Sequence, residues 1–293
     1  MIYVILGQTA SGKTSTALKL AKVFNLPIIS ADAYQCYKMM QIGTDKPTKE
    51  EIGNISYHFY DEYNPDEEVS VFLFQQECRK LIENYIRLNK DIIVVGGTFL
   101  YTKALLFNYV FTKEDIPSKY ENMSLEKMQE LLKEKSIETY SSIDINNPRR
   151  VKRALDQIDN GLDRSNILSQ NSDVPLYPTK FYRIDIDKDE GNRKIDQRVE
   201  KMFNQGFLEE VQSLLNRYDP DLKSFLAIGY KETISGLKEG KSIDEIKDII
   251  KVHTHQYAKK QRTFMRNQFK DITSGCKDDI YQAIKNDILL KQK

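Results

Sequence analysis

The chain has 293 residues, enough for one large domain or two modest ones, and 40% of them are apolar, so a sizeable core can be buried. Charged residues reach 30% but nearly cancel to a formal net charge of +1, so any nucleic acid must be held by a local basic patch rather than by bulk charge. No apolar run approaches membrane-spanning length, the first strand begins at Ile2 with no room for a signal peptide, and Cys36, Cys78 and Cys276 lack metal-ligand spacing; these features predict a cytoplasmic protein without a membrane partner.

The apolar run Ile2 to Leu6 predicts a strand. Gly7-Gln8-Thr9-Ala10-Ser11-Gly12-Lys13-Thr14 then fits G-x-x-x-x-G-K-[ST], and a helical pattern follows through Ala17, Leu18, Leu20, Ala21 and Phe24. Strand, glycine-rich loop and helix form the context in which this P-loop pattern carries meaning. Its backbone N–H groups curl around a phosphate, and the helix adds the positive end of its dipole. Lys13 supplies a mobile cation, and the Thr14 hydroxyl can reach a bound Mg²⁺. Gly7, Thr9, Ala10, Ser11, Gly12, Lys13 and Thr14 are therefore the candidate diphosphate- or triphosphate-binding residues.

Leu26-Pro27-Ile28-Ile29-Ser30-Ala31-Asp32 reads as a second strand ending in an acid. Residues Val69 to Asn89 read as a helix, with Phe74, Cys78, Leu81, Tyr85 and Leu88 at helical spacing. Asp91 to Val95 is an apolar strand closed by Gly96-Gly97-Thr98. Alternating strands and helices predict an α/β fold, a parallel P-loop sheet flanked by helices. Sites in such sheets lie at the carboxyl ends of the strands, so the P-loop, Asp32 and Thr98 should converge on one crevice.

Residues 110–146 are polar and helical and read as a short helical insertion. Residues 1–109 and 147–293 are then the core, whose helical part resumes at Asn147. Residues 162–178 read as a loop, Phe181 to Ile186 as a strand, and the remainder mostly as helix.

A nucleotide-hydrolysing P-loop protein also carries an apolar strand ending in a Mg²⁺-holding acid. Here that strand ends in two glycines and Thr98, and the acid in a comparable place is Asp32. Asp32 is either that metal-holding or helix-capping acid, or a general base beside the phosphate site. Two basic patches stand out: Arg149, Arg150 and Arg153 on one helix, and Lys259, Arg262, Arg266 and Lys270 along a long C-terminal helix whose apolar stripe runs through Ile246, Ile250, Tyr257 and Phe264. Each patch is either a solvated face or a footprint for a phosphate backbone, and few acids balance the second. His58, His253 and His255 have no acid or cysteine cluster at ligand spacing; His58 reads as structural, and His253, on the Tyr257 side of its helix, as a core residue.

Taken together, the motifs resemble the tRNA dimethylallyltransferase family, bacterial type. Gly7 to Thr14 is similar to its GPTASGKT, Ile29 to Tyr37 to ISADSxQVY, and Ile42 to Thr48 to IGTAKPT. Gly96 to Leu106 is similar to GGTxLYxKALL, Asn147 to Leu155 to NDPRRVxRAL, Ile228 to Glu232 to IGYKE, and Thr254 to Gln261 to TRQYAKRQ. The resemblance implies transfer of a dimethylallyl group from dimethylallyl diphosphate to N6 of adenine 37 in the anticodon stem-loop of tRNA, by a monomer using Mg²⁺. It implies Asp32 as the base, Thr98 as a hydrogen-bond donor to the leaving diphosphate, and Lys13 with Thr14 and Mg²⁺ neutralising charge. It implies tRNA contacts at Asp32, Gln35, Tyr37, Thr98, Arg149, Arg150, Arg153, Lys231, Lys259, Arg262 and Arg266.

The chain departs from the family pattern at several places. Gln8 replaces a proline, Ala33 a serine, Leu226 and His255 arginines, and Phe264 a tryptophan. The insertion is shorter than usual, with Lys119 remaining where an arginine-bearing helix is expected. Other readings are prenyl transfer to a free adenine nucleotide, a small-molecule P-loop kinase, and a catalytically weakened RNA-binding paralogue.

Overall fold

The structure, a computed structural model, describes residues 1–109, 118–161 and 174–291. Parts of the expected insertion and of the loop over 162–178 fall outside them. Six strands form one parallel sheet: β1 (Ile2–Gly7), β2 (Ile28–Ser30), β3 (Tyr57–His58), β4 (Ile92–Val95), β5 (Thr179–Ile184) and β6 (Ile272–Gly275). Their spatial order is β3-β2-β4-β1-β5-β6. The central strands β1 and β4 are buried along their whole length, which is why they read as unbroken apolar runs rather than as an alternation.

Among the described residues, α1 (Lys13–Phe24), α2 (Lys49–Ile52), α3 (Val71–Arg87) and α4 (Phe99–Leu106) precede the insertion. The helices α5 (Leu125–Lys135), α6 (Ile137–Ser142) and α7 (Pro148–Asp159) follow, then α8 (Lys188–Asn204), α9 (Phe207–Leu215), α10 (Tyr230–Lys238), α11 (Ile243–Gln268) and α12 (Lys277–Lys291). Tyr3 and Ile5 of β1 pack on one face with Leu20 and Ala21 of α1 and Ile280, Ile284 and Ile288 of α12. Side chains alternate along a strand, so Val4 and Leu6 turn to the other face. There Phe181 meets Phe269 at 5.5 Å between ring centroids; elsewhere in the core Phe59 and Tyr101 flank Phe74 at 4.8 and 4.7 Å.

Two strands escape sequence periodicity. β3 is two residues long inside the aromatic run Tyr57-His58-Phe59-Tyr60, and β6 is largely polar; both are edge strands with one neighbour each, so neither needs a continuous apolar pattern. His58 is structural as expected, with Nε2 2.8 Å from the Tyr85 hydroxyl. Lys270 lies beyond the end of α11, so the basic stripe of that helix is shorter than its spacing predicts.

The chain divides into two compact units, Met1–Leu105 with Tyr177–Lys293, and Leu106–Leu176. This moves α7 out of the core, where the sequence placed everything from residue 147 onward. Val151, Ala154 and Leu155 of α7 bury themselves against Tyr120, Met128 and Leu132, a cluster belonging to the insertion. Asn147 caps α7 by accepting from the Arg150 amide, and Pro148 fills its first turn, signals that mark a helix start but not the unit it joins. Lys119 pairs with Asp159 at 2.7 Å within the same unit. Because this apolar cluster is separate, Leu132→Ala should cost about 2–5 kcal/mol locally. Limited proteolysis of that variant should cut within residues 106–176 and leave the remaining core resistant.

Candidate active site

The loop after β1 turns sharply because Gly12, at φ 85°, takes the left-handed conformation that caps α1. It opens into a cavity of about 510 Å³ within the larger unit. Thr9, Lys13, Thr14, Asp32, Gln35 and Thr98 all line it, so the segments following β1, β2 and β4 converge as the sheet topology requires. The Ala31 amide extends the β2–β4 pairing by donating to the Val95 carbonyl at 2.8 Å. Thr98 Oγ1 then accepts from the Ala33 amide at 3.2 Å, tying the base candidate's loop to the loop after β4.

Asp32 Oδ1 accepts from the Tyr34 amide at 3.0 Å, which fixes the carboxylate, and Oδ2 has no partner among the described residues. Lys13 is partly buried and donates to the Gln8 carbonyl at 3.4 Å. Desolvation holds its pKa below the ordinary lysine value, the negative charge of Asp32 opposes this, and the positive charge of Arg198 adds to it. The Thr14 hydroxyl has no partner among the described residues and faces the same cavity.

Three cavity-lining residues were given no site role by the sequence, which read one of them, Tyr257, as part of an apolar core-facing stripe. Gln261 of α11 accepts from the Thr9 amide at 2.8 Å and donates to the Gly97 carbonyl at 2.9 Å. The Tyr257 hydroxyl donates to the same carbonyl at 3.2 Å. Arg198 of α8 donates through Nη1 to Thr9 Oγ1 at 2.8 Å and through Nη2 to the Gly43 carbonyl at 3.3 Å. Its neighbours Ile195, Val199 and Met202 form the buried stripe of α8, a stripe that marks an amphipathic helix without saying which flanking cation turns inward.

The expected tRNA-binding residues separate into groups. Gln35 lines the cavity, but both ends of its amide are engaged: Ser30 Oγ donates to Oε1 at 3.1 Å and Nε2 donates to the Thr44 carbonyl at 3.2 Å. Tyr37 is not brought to the cavity; it is buried, and its hydroxyl accepts from the Val69 amide at 3.4 Å, the setting of a packed core tyrosine. Lys231, Lys259 and Arg266 are exposed on the larger unit, and Arg149, Arg150 and Arg153 are exposed on α7 of the smaller one. Arg262 is only partly exposed and donates to Gln8 Oε1, so it braces the P-loop instead of standing free. His253 Nδ1 lies 2.7 Å from Glu232 Oε1 and His255 Nε2 lies 2.9 Å from Asp196 Oδ1. His253 is nonetheless exposed rather than a core residue. Leu226 lines the cavity with Ala227, Ile228, Val199 and Met202.

The family model for IPP transferase matches residues 35–268. The tRNA dimethylallyltransferase of Bacillus pumilus is 36% identical, covering 100% of this chain and 98% of that protein. The one of Bacillus anthracis is 37% identical, covering 99% and 97%. Among solved structures, the tRNA delta(2)-isopentenylpyrophosphate transferase of Staphylococcus epidermidis superposes with a TM-score of 0.74 at 31% identity, covering 99% of each chain. A eukaryotic dimethylallyltransferase solved acting on tRNA gives a TM-score of 0.85 at 25% identity, covering 99% of this chain and 79% of that one.

The lowered pKa of Lys13 has a testable sign. A free lysine with a depressed pKa loses its proton at a lower pH than usual, and a bound anion restores the charge. Binding of inorganic pyrophosphate at alkaline pH should therefore take up a proton, and Lys13→Met should abolish that uptake. Calorimetry in buffers of different ionisation enthalpy measures it.

Proposed function

Since the chain belongs to the IPP transferase family, we propose that it transfers a dimethylallyl group from dimethylallyl diphosphate to N6 of adenine 37 in the anticodon stem-loop of tRNA, acting in the cytoplasm as a monomer. The observation that carries this reading is the mixed lining of one cavity. The P-loop, Lys13 and Arg198 line it together with Leu226, Ala227, Ile228, Val199 and Met202, and Asp32 lines the same space. A diphosphate with a short apolar tail matches such a mixed lining. The central strand β4 ends in Gly96-Gly97-Thr98, with no acid to hold metal for nucleotide hydrolysis.

In this reading the target adenine is extruded from its loop, as base-modifying enzymes require. The N6 nitrogen forms a bond to C1 of the dimethylallyl group while the C1–O bond breaks and its electron pair leaves with the diphosphate. The N6 proton passes to the free oxygen of Asp32. Thr98, held beside Asp32, is placed to donate to the departing oxygen. Lys13, Arg198 and the loop amides balance the charge that develops on the diphosphate. The unpartnered Thr14 hydroxyl fits a Mg²⁺ carried on the diphosphate, and no group of three or more His, Cys, Asp or Glu among the described residues competes for it. When bound, Mg²⁺ supplies further neutralisation of the leaving group.

Incubation with dimethylallyl diphosphate and bulk tRNA, followed by nucleoside mass spectrometry, should show N6-dimethylallyladenosine; its absence, with steady ATP hydrolysis lost in Lys13→Ala, would replace this reading by a kinase or ATPase. Asp32→Asn keeps the size of the side chain but cannot take a proton. Single-turnover prenylation should fall about 10²–10⁴-fold while equilibrium binding of dimethylallyl diphosphate changes far less. Loss of Mg²⁺-dependent binding with chemistry intact would instead make Asp32 a metal-holding acid.

The exposed cations of α11 support an RNA-facing role. Lys259→Ala with Arg266→Ala should lower tRNA affinity and flatten its salt dependence, read by filter binding at several salt concentrations. Arg262→Ala should weaken pyrophosphate binding more than it changes the tRNA salt slope, because its guanidinium is turned to Gln8.

A further inference from the structure

Glu210 of α9 lies outside the cavity lining, yet it gathers an unusual set of donors. Its Oε2 accepts from the amides of Gln41 at 2.9 Å and Ile42 at 2.8 Å. Its Oε1 accepts from the Gly43 amide at 3.2 Å and the Tyr230 hydroxyl at 2.6 Å. Three successive backbone N–H groups pointing at one carboxylate make an anion nest. Here the anion is a side chain of the protein itself, so the nest serves to hold loop 41–43 in one conformation.

The tip of the loop is also closely packed. Gly43 sits so close to Tyr230 and Phe207 that an added Cβ would come within 2.5 Å of Phe207 Cε2. The loop therefore has no room for a side chain at its tip. The Gly43 carbonyl accepts from Arg198 Nη2. Arg198 has one other firm acceptor, Thr9 Oγ1 in the P-loop, while its Nε is buried without a hydrogen bond. Asp45 Oδ2, 3.7 Å from Nε, offers a competing direction.

We infer that Glu210 is a positioning residue for the transfer: through loop 41–43 it fixes the Gly43 carbonyl, which keeps the Arg198 guanidinium turned to the P-loop and its diphosphate. This rests on the reading of Arg198 as a diphosphate contact. Removal of Glu210 leaves three amides without their acceptor, frees the carbonyl, and lets Asp45 draw Arg198 aside.

The test is a double-mutant cycle on binding of inorganic pyrophosphate with Mg²⁺, measured by calorimetry, with KM and kcat for dimethylallyl diphosphate alongside. Arg198→Ala should weaken binding about 10- to 100-fold, the range of a charge-assisted hydrogen bond. Glu210→Ala should weaken it several-fold and raise KM more than it lowers kcat. The double variant should bind no more weakly than Arg198→Ala alone, because the two act in series. Tyr230→Phe keeps the ring over Gly43 and removes one hydrogen bond from Glu210; it serves if Glu210→Ala does not fold, and should show a smaller loss that vanishes in the Arg198→Ala background. Unchanged affinity in Arg198→Ala would overturn the reading of Arg198 itself. A loss in Arg198→Ala combined with multiplicative losses in the double variant, or with no loss in either Glu210→Ala or Tyr230→Phe, would overturn the positioning role alone.

Discussion

The site depends on one buried amide. Gln261 accepts from the Thr9 amide in the P-loop and donates to the Gly97 carbonyl in the loop after β4. These loops follow adjacent strands, but strand pairing ends at Ile5 and Val95, and beyond that point the backbones are free to diverge. A side chain with one donor and one acceptor on a planar group spans the gap and satisfies both loops at once. The buried amide would be costly if either bond were missing, so the helix carrying it is locked in register against the sheet. That bridge joins the P-loop to the loop whose Thr98 accepts from the Ala33 amide, next to Asp32.

Electrostatics builds on the same frame. Lys13 and Arg198 stand in one cavity, where desolvation lowers the pKa of Lys13, the charge of Asp32 opposes this, and the positive charge of Arg198 adds to it. Two cations held close together with little water form a site whose most favourable occupant is a multiply charged anion. Asp32 tempers the repulsion but is committed on one oxygen to Tyr34. One cavity thus gathers the P-loop, Lys13 and Arg198, an Asp32 oxygen without a partner among the described residues, and apolar residues such as Leu226 and Met202.

Much of this was legible in the sequence, for a physical reason. Strand ends in a parallel sheet are fixed by local patterns, so Gly7 to Thr14, Asp32 and Thr98 could be placed on one edge without any knowledge of tertiary packing. Arg198, Gln261 and Glu210 could not, because each acts through a helix that returns from far along the chain, and an amphipathic helix looks the same whichever polar residue turns inward. The unit boundary was misplaced for a similar reason: the cap at Asn147 announces a helix, but only the partners of Val151 and Leu155 reveal which core it joins. Tyr37 and Arg262 were assigned by resemblance, which transfers a residue type but not its orientation; one is buried and the other is bonded to Gln8.

The departures from the family pattern are better understood as contacts than as losses. Gln8 stands where a proline is usual, and a proline offers the loop no side-chain acceptor; Gln8 supplies one, and Arg262 of α11 uses it. The P-loop is thus braced from α11 at two points, Gln8 and Thr9, rather than at Thr9 alone. His255, in place of an arginine, stands with Nε2 2.9 Å from Asp196 Oδ1 of α8. Leu226 adds apolar surface to the cavity lining beside Ala227 and Ile228. Gln8 itself lies inside the P-loop: its backbone carbonyl accepts from Lys13 while its side chain accepts from Arg262, so the substitution adds a brace to the loop that carries Lys13.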